Sequence, residues 1–143
     1  MQIQTANREI SEKVFINVKN VEGATLTTGL PVAYALATSM DGVGAVRANA
    51  AGDYPGFIGV TLSDIPNNEY GQIQISGFVN SILLSNAGTS VTINVGDPLV
   101  PAPGGFYSAA PTYANSGFRW IAASNVPVAL SAASYASGLI RMV

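Results

Sequence analysis

The chain has 143 residues, with six basic and eight acidic side chains and neither histidine nor cysteine. Its charged fraction is 10%, compared with roughly 25% in ordinary globular domains. The length predicts one domain, and the missing histidine and cysteine exclude a Ser-His-Asp triad, a thiolate nucleophile, disulfides and zinc–thiolate sites within the chain.

The basic residues are scattered along the chain, and the net charge is −2. Because binding to a phosphate backbone requires a basic patch, the sequence predicts no nucleic-acid partner. It has no secretory core at its start and no apolar run close to the roughly 18 residues of a membrane helix. We therefore expect a soluble protein that is not exported and has no membrane partner.

The charges are unevenly distributed, and this predicts two regions. Five charged residues fall at or beyond position 54, whereas six fall within the first 22 positions: Arg8, Glu9, Glu12, Lys13, Lys19 and Glu22. We interpret residues 1–22 as an N-terminal arm with a lead-in strand, and residues 23–143 as a weakly charged β-barrel body.

The elements of the first half are short strands. Val14, Ile16 and Val18 alternate with the residues between them, which is typical of a half-buried strand. Turn signals such as Asp41-Gly42 separate the next apolar segments, which lie at residues 31–37, 43–48 and 57–62.

The clearest strand of the second half is predicted at residues 72–79, and Gly77 within it indicates a bulge. Residues 101–105 are predicted as a loop, and residues 131–137 as a loop or one helical turn. Residues 82–84 either continue the strand at 72–79 or begin another, and the other predicted strands lie at residues 91–95, 99–100, 118–121 and 138–143. Turn signals recurring at intervals of about 8–12 residues favour a sandwich or a barrel.

Catalytic motifs are scarce in this sequence. Phosphate-binding glycine loops and a G-x-S-x-G nucleophile elbow are absent, which removes two common enzyme signatures. Asp64 and Glu69 flank one turn and could form a glycosidase pair or part of a calcium site. Aspartate is more often found in such turns for its local hydrogen bonding. We therefore expect no enzyme activity, no cofactor and no metal.

Aromatic residues concentrate in the last third of the chain, where they include Phe106, Tyr107, Tyr113, Phe118, Trp120 and Tyr135. They could pack in a core, anchor a protein interface or stack on sugars. The low charge is the stronger signal, because a free soluble domain does best with roughly 25–35% charged surface residues. The sequence therefore predicts a surface largely covered by identical or different partners.

Several stretches together resemble one family. They are residues 12–21, residues 29–32, Asp41-Gly42, residues 57–60 followed by Asp64, residues 71–79, residues 95–100 and residues 138–141. This pattern is similar to the head decoration (cement) proteins of tailed bacteriophages, the group with a β-tulip or small-barrel body.

The resemblance implies an all-β fold, with a compact β-barrel or β-tulip body of short antiparallel strands preceded by an extended N-terminal arm. It further implies a non-enzymatic virion protein, made in the host cytoplasm, that forms homotrimers on the outer capsid surface. Its partner would be the major capsid protein, whose neighbouring subunits it would clamp.

We expect the arm to contact the capsid or a neighbouring subunit by adding a strand to an exposed edge, with its charges setting the orientation. The candidate capsid or subunit interface residues are Arg8, Glu9, Glu12, Lys13, Phe15, Trp120 and Arg141. The alternative function is a carbohydrate-binding or host-adhesion module on the virion, in which the late aromatic residues would bind glycans.

Overall fold

The structure is a computed structural model that describes residues 13–37, 41–49, 56–85, 91–108, 118–122, 128–130 and 132–142. Within these ranges the chain forms eleven β-strands and no α-helix, which confirms the predicted all-β class. The strands are β1 (Val14–Asn20), β2 (Pro31–Tyr34), β3 (Gly44–Arg47), β4 (Phe57–Thr61), β5 (Tyr70–Leu84), β6 (Val91–Ile93), β7 (Pro98–Ala102), β8 (Gly105–Ser108), β9 (Phe118–Ala122), β10 (Val128–Leu130) and β11 (Ser134–Met142).

Five strands close into a small barrel in the order β1-β3-β2-β4-β5, and β5 pairs back with β1. The predicted barrel is therefore confirmed. Four of its five pairings are antiparallel, whereas β1 and β3 run parallel, with Lys19 opposite Gly44 and Asn20 opposite Ala45. The barrel is thus mixed rather than purely antiparallel, and closure leaves most of its strands without a free edge.

A second ring of pairings shares β5 with the first barrel. It runs β5-β11-β9-β7-β8 and returns to β5 through one parallel pair, Leu84 with Phe106. β5 can belong to both rings because it is 15 residues long. The sequence predicted a strand at 72–79 and left open whether residues 82–84 continue it or begin another strand; they continue it. The strand continues through Asn80 and Ser81 because β11 pairs with β5 on both sides of them, with a register shift between.

Two other boundaries differ from the sequence predictions. β11 begins at Ser134, so residues 134–137 form a strand and not the predicted loop or helical turn. Their pairing with Ile82, Leu83 and Leu84 outweighs the weak strand propensity of alanine and serine. Likewise, β7 extends through Ala102, which shortens the predicted loop at 101–105 to a tight turn before β8.

Two hydrophobic cores lie on opposite faces of the strands that form the first barrel. Val18, Leu26, Val32, Ile65 and Ile73 fill the first barrel, together with Ala45. A second core lies outside it and consists of Ala33, Ala48, Phe57, Val60, Val79, Ile82, Leu84, Ile93, Leu99, Phe106 and Ile140. Successive side chains of a strand point to opposite faces, so β2 and β4 contribute to both cores and show no simple polar–apolar alternation.

The lead-in strand predicted within residues 1–22 is β1, and it forms a wall of the first barrel. The predicted alternation holds from Phe15 onward, because Phe15 and Asn17 are exposed while Val18 is buried. Val14, which precedes the register shift, is exposed and departs from the prediction. Residues 1–12 of the predicted arm lie outside the described residues.

Asn20 is a fully buried polar residue at the end of β1. Its side-chain Nδ2 donates to the carbonyl oxygens of Ala24 (2.8 Å) and Ile65 (2.7 Å), and its Oδ1 accepts from the Glu22 amide (2.9 Å). The side chain thus ties the end of β1 to the following turn and to Ile65, whose backbone pairs with that of Leu26. Burial without these partners would be costly.

Replacing Asn20 with alanine is expected to lower the free energy of unfolding by about 2 kcal/mol, because buried backbone groups lose their hydrogen bonds. Urea unfolding followed by tryptophan fluorescence measures this change. Asn17→Ala on the exposed face of the same strand is the matched control, and it should shift stability by less than about 0.5 kcal/mol. Equal losses in the two variants would contradict the role assigned to Asn20.

Candidate functional site

The outward face of β1 and its partner β5 combines aromatic, amide and cationic side chains. Phe15 is 43% exposed and Tyr70 is 68% exposed, and the register places Lys19 opposite Tyr70. The Lys19 Nζ lies 6.0 Å from the centroid of the Tyr70 ring, which is the outer range of a cation–π contact. Together with Asn17 and Gln72, which face each other between them, these residues form what we call the β1 face.

A cleft of about 190 Å³ adjoins the β1 face at the point where β5 passes from the first barrel to the second ring. Lys13, directly before β1, lines it together with Thr28, Thr61, Gln74 and Asn80. The Gln74 Nε2 is already engaged, since it donates to the carbonyl oxygens of Ser76 (2.9 Å) and Phe78 (3.0 Å).

The lining of this cleft combines hydroxyl and amide groups with the apolar side chains of Leu62 and Val79, and Lys13 is the one charged residue among those that line it. General acid–base catalysis needs a titratable group placed against the reacting atom, and glycoside hydrolysis needs two carboxyl groups. The cleft therefore lacks a catalytic pair.

The seven predicted interface residues fall into three groups. Arg8, Glu9 and Glu12 lie outside the described residues. Lys13 and Phe15 lie at the cleft and on the β1 face, where the register shift between Val14 and Phe15 redirects the start of the strand.

Trp120 and Arg141 belong to the second ring, on β9 and β11 respectively. The register places Trp120 opposite Ile140 and Arg141 opposite Arg119. The fold thus pairs two arginine positions that are far apart in sequence, and it places them on different strands from Lys13 and Phe15.

The aspartates of the described turns bind the backbone, as their turn positions predicted. The Asp64 carboxylate accepts from the Thr28 amide (2.8 Å) and hydroxyl (3.0 Å). Asp41 accepts from the amides of Val43 and Gly44 (2.9 and 3.0 Å). These carboxylates therefore hold loops together.

No group of three or more acidic side chains that could hold a metal ion occurs among the described residues. In that same part of the chain, no helix is long and apolar enough to cross a membrane.

Tyr70 on the β1 face and Leu62, which lines the adjoining cleft, were not singled out from the sequence. Tyr70 follows a turn, and Leu62 ends an apolar run, so both look like ordinary strand-end residues in the sequence. Their exposure and their positions next to Lys19 and the cleft follow from the β1–β5 and β4–β5 pairings, which are long-range contacts.

No protein-family model and no curated protein matches this sequence. Among solved structures, the chain is similar to the crystal structure of the head fiber gp8.5 N base of bacteriophage phi29. The TM-score is 0.53 at 13% sequence identity, and the match covers 91% of this chain and 95% of that chain. At this identity the comparison shows a shared fold that extends over nearly the whole of both chains.

Proposed function

We propose that this chain is a non-enzymatic structural virion protein of a bacteriophage. In this proposal it binds the outer surface of an icosahedral capsid as a homotrimer and clamps neighbouring major capsid subunits. The observation that carries the proposal is the fold shared with the base of a phage head fiber along almost the full length of both chains.

The surface composition supports the same proposal. Charged residues make up 10% of the chain, and several large apolar side chains are more than one-third exposed, among them Phe15, Leu36, Leu62, Tyr70 and Tyr135. Such a surface favours association over a free monomeric state. A protein that binds the assembled shell and not its free subunits stabilises the shell by mass action.

The proposed role requires adhesion and no bond-making chemistry. The described aspartates are engaged in turns, and the cleft beside β1 carries a single cationic side chain. Lys13 and Phe15 are the described members of the predicted interface that lie on this surface. We propose that they contact the capsid together with the charged residues of the arm.

Deleting residues 1–12 should weaken binding to purified capsids, because the arm carries Arg8, Glu9 and Glu12 and leads directly into the β1 face. We expect the dissociation constant to rise about tenfold or more, which corresponds to about 1.4 kcal/mol. Occupancy is measured by co-sedimentation with capsids that lack the protein.

The matched control for this deletion is Asp97→Asn, which changes charge in the turn before β7, remote in sequence from the arm. Unfolding curves for both variants show whether the barrel is intact. Unchanged occupancy after the deletion would contradict the arm's role. A monomeric protein that is absent from virions would contradict the whole proposal, and glycan binding without incorporation would favour the adhesion module.

A further inference from the structure

The two edges of β1 are unequally covered. Toward β5, the pairing runs along the strand from Val14 to Lys19. Toward β3, the pairing is limited to Lys19 and Asn20. The first half of β1 therefore has one covered edge and one that no described residue covers.

The direction of the hydrogen bonds identifies the uncovered groups. The amide of Lys19 donates to the Val43 carbonyl (2.9 Å), and the amide of Val21 donates to the Ala45 carbonyl (3.0 Å), so odd-numbered residues of β1 face β3. Backbone groups of a strand alternate between its two edges. The amide and carbonyl groups of Phe15 and Asn17 consequently point to the same edge, and both residues are exposed.

We propose that residues 2–5 of a second copy of this chain bind this open edge of β1 as an added strand. An exposed edge with free amide and carbonyl groups is a template for strand addition, in which the main chain provides affinity and alternate side chains provide specificity. The inference deepens the proposed function, since it names the surface through which copies of the chain would join, and it rests on their self-association.

The sequence of the donor supports this pairing. Residues 2–5 read QIQT, and residues 72–75 of β5 read QIQI. The β5 segment is the one that covers the opposite edge of β1, with Ile73 opposite Ile16 and Gln74 opposite Phe15. In β5, this alternation of amide and branched side chains pairs with one edge of β1. Residues 2–5 carry a similar alternation, which we propose pairs with the other edge.

The path of the chain favours a second copy as the donor. Lys13 lines the cleft together with Thr61 and Asn80, which belong to β4 and β5. Lys13 therefore lies on the β5 side of β1, opposite the open edge. In the proposed arrangement residues 2–5 come from a second copy, because this donor does not require the chain to pass over β1 from Lys13.

Amide hydrogen exchange on the purified full-length protein, without capsids, tests the proposal. Deletion of residues 2–5 should speed exchange at Phe15 and Asn17 by about tenfold or more, because the protecting strand is lost. Ile16 and Val18 face β5 and should be unaffected, which makes them internal controls. The mass in solution should fall from an oligomer to a monomer in the same deletion.

A second variant, Asn17→Pro, removes the edge amide without removing a hydrogen bond to β5. It should reduce self-association, whereas Thr92→Ala at an exposed position of the separate β6–β10 pair should not. If Asn17→Pro does not fold, the exchange measurement on the deletion still decides the question.

Three results would overturn the inference. The first is fast exchange at Phe15 and Asn17 in the full-length protein at all concentrations. The second is protection in a monomer, which would identify the chain's own arm as the donor. The third is that neither the exchange protection of the Phe15 and Asn17 amides nor the mass in solution changes when residues 2–5 are deleted. Capsid binding is not measured here, so the proposed capsid role can fail separately.

Discussion

Replacing Phe106 with alanine is expected to lower the free energy of unfolding by about 4 kcal/mol, the typical cost of an emptied aromatic site in a core. Phe106 is fully buried, and its ring meets that of Phe57 edge to face, with centroids 6.1 Å apart and planes at 82°. Such an aromatic pair stabilises the folded state by more than the burial of its apolar surface alone.

The effect should be large because the two rings belong to different parts of the fold. Phe57 lies on β4 of the first barrel. Phe106 lies on β8, where it forms the pair with Leu84 of β5 that closes the second ring. A cavity at this position would loosen the core that joins both rings, and close-packed surroundings would fill it only in part.

Urea unfolding gives the stability of this variant from the transition midpoint and slope. Phe15→Ala is the matched control, because it removes the same side chain from an exposed position and should cost less than about 1 kcal/mol. If both variants lose the same stability, Phe106 does not hold the two rings together.

Replacing Gly59 with alanine is expected to cost about 3 kcal/mol, the upper range for overpacking. A Cβ atom at this position would overlap the Gln74 carbonyl of the neighbouring strand and lie 3.2 Å from the Ile75 Cγ2. The nearest atoms belong to the backbone of β5, which is held between β1 and β4, so β4 and β5 would have to separate locally.

Thermal unfolding should show the loss as a fall in Tm of roughly 10 °C for a domain of this size. Gly56→Ala, directly before the same strand, is the control because its new Cβ would have no neighbour nearer than 3.5 Å. It should leave Tm within about 2 °C. A Gly59→Ala variant as stable as this control would show that β4 and β5 approach less closely than described.

The candidate surface was predictable only in part. Lys13 and Phe15 could be selected because they stand at the start of an alternating strand in the charged N-terminal segment. Tyr70 could not, because its place beside Lys19 depends on the pairing of β1 with β5 across some 50 residues of chain. The open edge was hidden for the same reason, since a sequence does not show which half of a strand lacks a partner.

Alternating apolar residues and frequent turns were sufficient to predict an all-β chain, because these signals act within a few neighbouring residues. The tertiary structure decided that β5 is one strand shared by two rings and that β1 runs parallel to β3. It also decided that, within the described part of the chain, nothing pairs with the β3-side edge of β1 at Phe15 and Asn17. Strand partners and register depend on which distant segments bury each other's apolar faces. We propose that the β1 face and the adjoining edge of β1 belong to the surface that partners cover, which the low charge of the sequence predicts.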